Sequence, residues 1–297
     1  MEQILLGALS LGLLWSVMTI GVYITFRILS IADMTVEGTI TLGAAVTARV
    51  ISLGASPWLG LALSILAGML AGLITGLLHT KLGIPALLSG ILTMIALFSI
   101  NLRVMTKANI SLLRMDTVYT PLMSLGLNKT WAVIALGAMC AALVIGLLYW
   151  FFGTEVGSAI RATGANPNMV RAQGIHTDTT LILGLMISNA LVGISGSLIA
   201  QSQNYADLQM GTGSIVIGLA SMIIGEVLFG KRNFFLRFLS MVLGAITYRI
   251  IIALVLKMGM PSDDLKLFTA ITVVFALSLP KIKGLINGRL RPRKGGM

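Results

Sequence analysis

The chain has 297 residues, of which 57% are apolar and only 10% charged, with a mean hydropathy of +0.97. Soluble domains carry about a quarter charged residues, so a water-soluble globular protein is excluded. Lys plus Arg number 21 against 10 Asp plus Glu, a net +11, but the excess lies between apolar blocks and at the C-terminus instead of along one face, which argues against nucleic-acid binding.

A membrane-crossing helix needs about 20 apolar residues, because it rises ~1.5 Å per residue through a hydrocarbon core ~30 Å thick. The first such block, 4–26, is too long for a signal-peptide core, follows Glu2 without a basic lead, has no A-x-A site, and is read as a retained helix. A short block at 38–53 comes next, then 58–79, 84–103, 131–152, 179–200, 211–229, 234–256 and 265–280. The expectation is an all-α fold, a polytopic transmembrane helix bundle of about 8–10 spans with broken helices, in one transmembrane domain over 1–297. Six cations after Pro280 make 281–297 a basic tail, which the positive-inside rule puts in the cytoplasm; counting back puts the N-terminus outside.

Between the first two blocks, Ser30 to Thr39 carries Asp33 and Glu37 four residues apart, on one face if helical. Ala206-Asp207, just before the Gly/Thr-rich start of 211–229, repeats the order Ala32-Asp33. Two interrupted spans at comparable places point to an inverted internal repeat whose irregular backbone lines a cavity. Each acid can be simply a helix cap; alternatively Asp33, Glu37 and Asp207 line a substrate path with the intramembrane polar residues Asn189, Tyr248 and Arg249. Arg249 is expected to pair with Glu226 one helix earlier, a substrate carboxylate being its other candidate partner.

Gly68, Gly72 and Gly76 mark a close helix contact, within the chain or across a dimer. The segment 104–130 is a surface loop or a docking face for an external partner. Cys140 is alone and cannot close a disulfide, and the 17 Met are core filler with no spacing that suggests a metal site.

Residues 153–178 are small and polar and about a span long, yet unable to span. Glu155 to Thr163 reads as a short helix, Gly164 as its left-handed C-cap, and Asn166-Pro167 as the start of a second helix ending at Gly174. Val156, Ala159, Ile160, Met169, Val170 and Ala172 with Arg161 and Arg171 make it an amphipathic knob; a connector lying on anionic lipid is the plainer reading. The run Gly157-x3-Arg161-Ala162-x-Gly164-x-Asn166-Pro167-x3-Arg171-Ala172-x-Gly174-Ile175 resembles permease subunits of bacterial ATP-binding-cassette importers, in the branch that takes up branched-chain amino acids and ribose. The broken region near Asp33 and the sequence Asp264-Leu-Lys-Leu-Phe are similar to the subgroup of tryptophan and tyrosine uptake permeases. The Glu-Ala-Ala-x3-Gly form of other importers is absent. The resemblance implies a coupling helix docked on separate ATPase subunits that hold ATP and Mg, an extracytoplasmic substrate-binding protein, and a homodimer in the bacterial plasma membrane. It also implies ATPase-coupling roles for Glu155, Arg161, Ala162, Gly164, Asn166, Pro167, Arg171 and Gly174.

The rival functions are weaker. Gly225-x4-Gly230-Lys231 begins like a phosphate loop, but Arg232 stands where Ser or Thr is needed for magnesium, so no nucleotide site, catalytic residue or cofactor is expected in this chain. Gly193-Ile194-Ser195-Gly196 has the form of a rhomboid protease motif, yet the only histidines, His79 and His176, lie away from a later membrane helix. An ion-coupled secondary transporter using Asp33 and Glu37 would leave the two-helix loop without a purpose.

Overall fold

A computed structural model describes residues 2–230 and 233–258, together with positions 267, 270, 271, 274 and 278, which are helical. The rest of the predicted 265–280 span and the basic tail 281–297 lie outside the described residues. Helix α1 (Glu2–Tyr23) runs on through a π-helical turn, Ile24–Ile28. It is followed by α2 (Thr35–Ser52), α3 (Pro57–Thr80), α4 (Ala86–Met105), β1 (Asn109–Ser111), α5 (Thr120–Ser124) and α6 (Lys129–Gly153). Then come α7 (Glu155–Ala165), α8 (Pro167–Ala172), α9 (Thr177–Gln203), β2 (Tyr205–Asp207), α10 (Ser214–Phe229) and α11 (Phe234–Lys257). Six of these helices, including α1 with its π-turn, are long and apolar enough to cross a membrane.

Burial ranks them. The spanning windows of α9 and α1 are 72% and 67% buried, whereas α3, α4 and α11 stand at 33%, 28% and 33%. α9 and α1 are therefore the axis of the bundle, and the others present leucine-rich outer faces such as Leu63, Leu66 and Leu70 of α3. A chain solvated by lipid gains nothing by burying every leucine, so small residues decide which helix faces touch. A Cβ on Gly68 or Gly72 would strike the α9 carbonyls of Asn189 and Leu185, and one on Gly76 would come 3.1 Å from Ile182 Cα. The predicted glycine stripe thus packs inside the chain. The same logic holds at Gly43 against Gly193, and at Gly225 against Ser240 and Gly244.

Two helices are short. α10 has 16 residues, about 24 Å, less than a hydrocarbon core of ~30 Å. The predicted span 211–229 is corrected at its start: residues 208–213 are turns, because Gly213 at φ +79° sets the helix boundary. α2 matches the short predicted block 38–53 and is buried along nearly its whole length.

Contacts fix which ends lie together. Arg27 at the end of the π-turn pairs with Glu226 near the end of α10, and Lys81 after α3 pairs with Asp178 in the first turn of α9 at 3.6 Å. The α7–α8 loop sits at this same end, with Gly164 against the Ile28 carbonyl. At the opposite end β1 and β2 form an antiparallel pair, Ile110 facing Ala206. There the predicted loop 104–130 is folded onto the bundle. Leu112, Val118 and Tyr119 are buried, the Tyr119 hydroxyl donates to Leu198 O at 3.0 Å, and Val118 N donates to Gln201 Oε1 at 2.9 Å.

Candidate functional site

The first site is the loop between α6 and α9. Thr154 caps α7 by accepting from Gly157 N at 3.3 Å, and Asn166, extended at φ −155°, caps α8 by accepting from Met169 N at 3.1 Å with Pro167 following. Gly174 closes α8 at φ +81°. Gly164 is different from its sequence reading. It lies inside α7, which continues to Ala165, and it does not adopt a left-handed conformation. Its bare Cα is needed for approach: an added Cβ would strike the Ile28 carbonyl and lie 2.9 Å from Leu29 Cα.

The knob is thereby pinned on one side and open on the other. Ile160 and Val170 are fully buried, and the Thr163 hydroxyl meets that of Thr180 at 2.8 Å. Arg171 is anchored, its Nε donating to Thr177 Oγ1 at 2.7 Å. Glu155, Val156, Arg161, Pro167, Met169 and Arg171 face outward, while Ala162 is half-buried and accepts from Asn166 N through its carbonyl at 2.9 Å. The Arg161 guanidinium stands 5.1 Å from the Phe234 ring centroid, in a cluster where Phe234 packs edge-on against Phe152 and Phe238. Motion of α7 therefore bears directly on the π-turn of α1 and the start of α11.

The second site is where the broken helices meet. α2 and α10 run in opposite directions, and their N-termini converge in the bundle. Glu37 Oε1 accepts from Gly213 N at 3.1 Å, and a Cβ on Gly211 would strike the Glu37 carbonyl. The carboxylate of α2 thus caps α10, at the positive ends of both helix dipoles. Asp33, one residue before the Met34 N-cap position of α2, accepts from Thr35 N at 2.9 Å. Its other oxygen accepts from Asn189 Nδ2 at 2.8 Å, and Asn189 Oδ1 accepts from Thr39 at 2.7 Å. Thr35 continues the buried network to Thr75 and Thr93 at 2.7 and 3.0 Å.

Of the six predicted path residues, the structure brings Asp33, Glu37 and Asn189 into this junction. Asp207 is elsewhere, at the end of the bundle that carries the β1–β2 pair, accepting from Gln209 N at 2.8 Å and Asn109 Nδ2 at 3.3 Å, because the 208–213 turns carry the chain back inward only after it. Tyr248 is buried on α11. The expected Arg249–Glu226 pair is not formed. Glu226 receives both Nε and Nη2 of Arg27 at 3.0 Å, and Gly225 meets α11 at Ser240 and Gly244, with Arg249 beyond that crossing, five residues past Gly244. Its guanidinium instead lies 4.2 Å above the Trp15 ring, with Nε buried and without a hydrogen-bond partner. The Arg27–Glu226 partnership spans 199 residues, and no local pattern announces it. Ser195, the candidate nucleophile, donates to Leu14 O at 2.8 Å, and His79 is engaged with Ile84 O at 2.8 Å.

Comparison with known proteins agrees with this architecture. Residues 4–279 match the family described as branched-chain amino acid transport system, permease component. The tyrosine transport system permease protein of Clostridioides difficile (strain R20291) is 39% identical over 274 residues, 92% of this chain and 90% of that protein. An uncharacterized protein of Rickettsia prowazekii (strain Madrid E) is 34% identical over 95% of this chain and 100% of its own. A metal-chelate type ABC transporter in an inward-facing conformation shares the fold at a TM-score of 0.51 and 15% identity, covering 94% of this chain and 85% of that one. The chain is a multi-pass membrane protein of the branched-chain amino acid transport permease family, an ABC transporter permease.

Proposed function

We propose that this permease moves an amino acid inward, an aromatic one by analogy with its tyrosine-permease relative, as a homodimer with two ATPase subunits below and an extracytoplasmic substrate-binding protein above. The α7–α8 knob is then cytoplasmic, the six cations of the tail lie on the same side, and 104–130 with the β1–β2 pair faces the binding protein. ATP and Mg reside on the ATPase subunits. The observation that carries the reading is the two-sided loop: one face is locked on α1 and α9, the other presents Glu155, Val156 and Met169, with Val156 and Met169 each 48% exposed, and Arg161 lies at the edge, exposed and stacked on Phe234 of α11. A connector resting on lipid has no need of an anchored arginine, two side-chain helix caps and a backbone approach at Gly164.

Only differential binding to two ATPase states can shift the permease between its own states, so the knob should hold the closed and open ATPase pair with different affinity. The meeting of α2 and α10 N-termini then supplies the hinge, because α7 bears on the π-turn of α1 and on α11, against which α10 packs. Asp33, Glu37, Asn189, Tyr248 and Arg249 stay with the permeation path; Asp207 belongs to the outer β1–β2 pair. The test is reconstitution with the ATPase subunits that co-purify from native membranes. Arg161→Glu is expected to abolish substrate-stimulated ATP hydrolysis while membrane insertion is retained. Unchanged stimulation refutes the coupling role, and the absence of any co-purifying ATPase favours an ion-coupled carrier.

A further inference from the structure

A cavity of about 380 Å³ opens beside the half-helix junction, between α2, α4 and the re-entrant turns, with Glu37, Asn101, Phe98, Met94, Leu208 and Thr212 in its wall. Its polar atoms are uneven. Asn101 is 1% exposed, and its Nδ2 donates to Gly38 O at 3.1 Å, which fixes the amide so that Oδ1 is the remaining group. That oxygen is buried with no hydrogen-bond partner. The Glu37 carboxylate takes the Gly213 N–H through Oε1. The wall therefore offers the Glu37 carboxylate and the polar side chains of Thr41, Ser99 and Thr212, with Asn101 Oδ1 buried beside them, while Met94, Ile95 and Phe98 of α4 are apolar.

A buried acceptor left without a donor is unfavourable, and a ligand donor that reaches it relieves that cost. We infer that this cavity binds the primary ammonium of an organic amine, the Glu37 carboxylate supplying the countercharge, Asn101 Oδ1 accepting one N–H, and Phe98 with Met94 holding the apolar body. The apolar part of the wall, Met94, Ile95, Phe98 and Leu208, suits the body of an organic cation, which a bare sodium ion lacks. Leu208 and Thr212 belong to the turns leading into α10, so the same amine would contact the element that must move if α10 and α2 separate. The inference rests on the proposed function for its choice of an amino acid as ligand, but amine binding needs no ATPase and is tested apart from it.

The experiment is equilibrium binding of L-tyrosine, tyramine and 3-(4-hydroxyphenyl)propionate to the purified full-length permease in nanodiscs. Tyrosine and tyramine are expected to bind and the deaminated acid not to. Glu37→Gln, which keeps an oxygen for the Gly213 N–H, and Asn101→Leu are each expected to weaken tyramine roughly 10- to 100-fold, the loss of a charge-assisted or buried hydrogen bond. As a check that does not depend on either variant folding, Ser99→Cys in a Cys140→Ala background places a thiol in the cavity wall, and tyramine should slow its maleimide labelling. Equal binding of tyramine and the deaminated acid, tyramine affinity unmoved by Glu37→Gln, no protection of the new thiol, or sodium displacing tyramine at stoichiometric occupancy would each overturn the inference. If amine binding holds while ATPase stimulation fails, the importer reading falls and this site stands; the reverse pair of results removes only this site.

Discussion

Gly164 and Gly174 lie ten residues apart in one loop and serve opposite physical needs, so the same pair of substitutions should rank in opposite order at the two positions. At Gly164 the backbone is helical, and the constraint is contact: an added Cβ would strike the Ile28 carbonyl oxygen and lie 2.7 Å from Ile28 C and 2.9 Å from Leu29 Cα. Carbon atoms pack at about 3.5–4.0 Å, so α7 must withdraw by about 1 Å or the π-turn must yield. Overpacking of this kind costs about 1–3 kcal/mol for one methyl, and a larger side chain costs more. At Gly174 nothing lies within 4 Å of an added Cβ, but φ is +81°. There alanine meets the left-handed penalty of about 1–2 kcal/mol, which asparagine partly escapes by hydrogen-bonding locally. Gly164→Asn is therefore expected to be more damaging than Gly164→Ala, and Gly174→Asn less damaging than Gly174→Ala. Thermal unfolding of the four purified variants, with proteolytic cleavage rates within 153–178 as a local readout, measures both orders. A Gly164→Asn variant as stable as wild type would restore the C-cap reading and refute the close-approach argument.

Three further outcomes follow from the geometry. Breaking the Arg27–Glu226 pair with Arg27→Gln should cost about 1 kcal/mol, discounted because Arg27 is half exposed, and a double-mutant cycle with Glu226→Gln should show the two effects to be non-additive; strict additivity would mean that the pair contributes nothing. Asn189→Leu removes the donor to Asp33 and the acceptor for Thr39, two buried bonds at about 1–3 kcal/mol each, and should lower the yield of monodisperse protein more than Thr93→Val, which leaves Asp33 satisfied; equal yields would count against the network. Gly193→Leu should prevent assembly, since a Cβ there already meets the Ser64 carbonyl carbon at 3.3 Å and the crossing with α3 has no room; normal size-exclusion behaviour in detergent would contradict the packing.

The helical, polytopic character and the approximate span positions were legible because lipid imposes a length and a composition on each crossing, and those are properties of consecutive residues. The two-helix loop was legible for the same local reason: Asn166-Pro167 and Gly174 act within their own turns, while the Thr154 cap emerged only in the structure. Gly164 was misread because a helix cap and a close backbone approach both demand glycine, and only the position of Ile28 separates them. The likeness of Ala32-Asp33 to Ala206-Asp207 pointed to two broken spans but paired the wrong acids. It is Glu37, from one broken span, that caps the other at Gly213, while Asp207 remains in the β1–β2 pair.

Charge partners escaped the sequence most completely. Glu226 could have met any basic residue carried to its end of the bundle, and the crossing of α10 with α11 at Gly225 and Gly244 left Arg27, not Arg249, within reach. Local chemistry, the run of apolar side chains and the turn-forming residues, is written along the chain and sets which segments are helices and where they stop. Which helices touch, and hence which carboxylate meets which donor, depends on small-residue crossings between segments more than a hundred residues apart, and that was decided by tertiary packing alone.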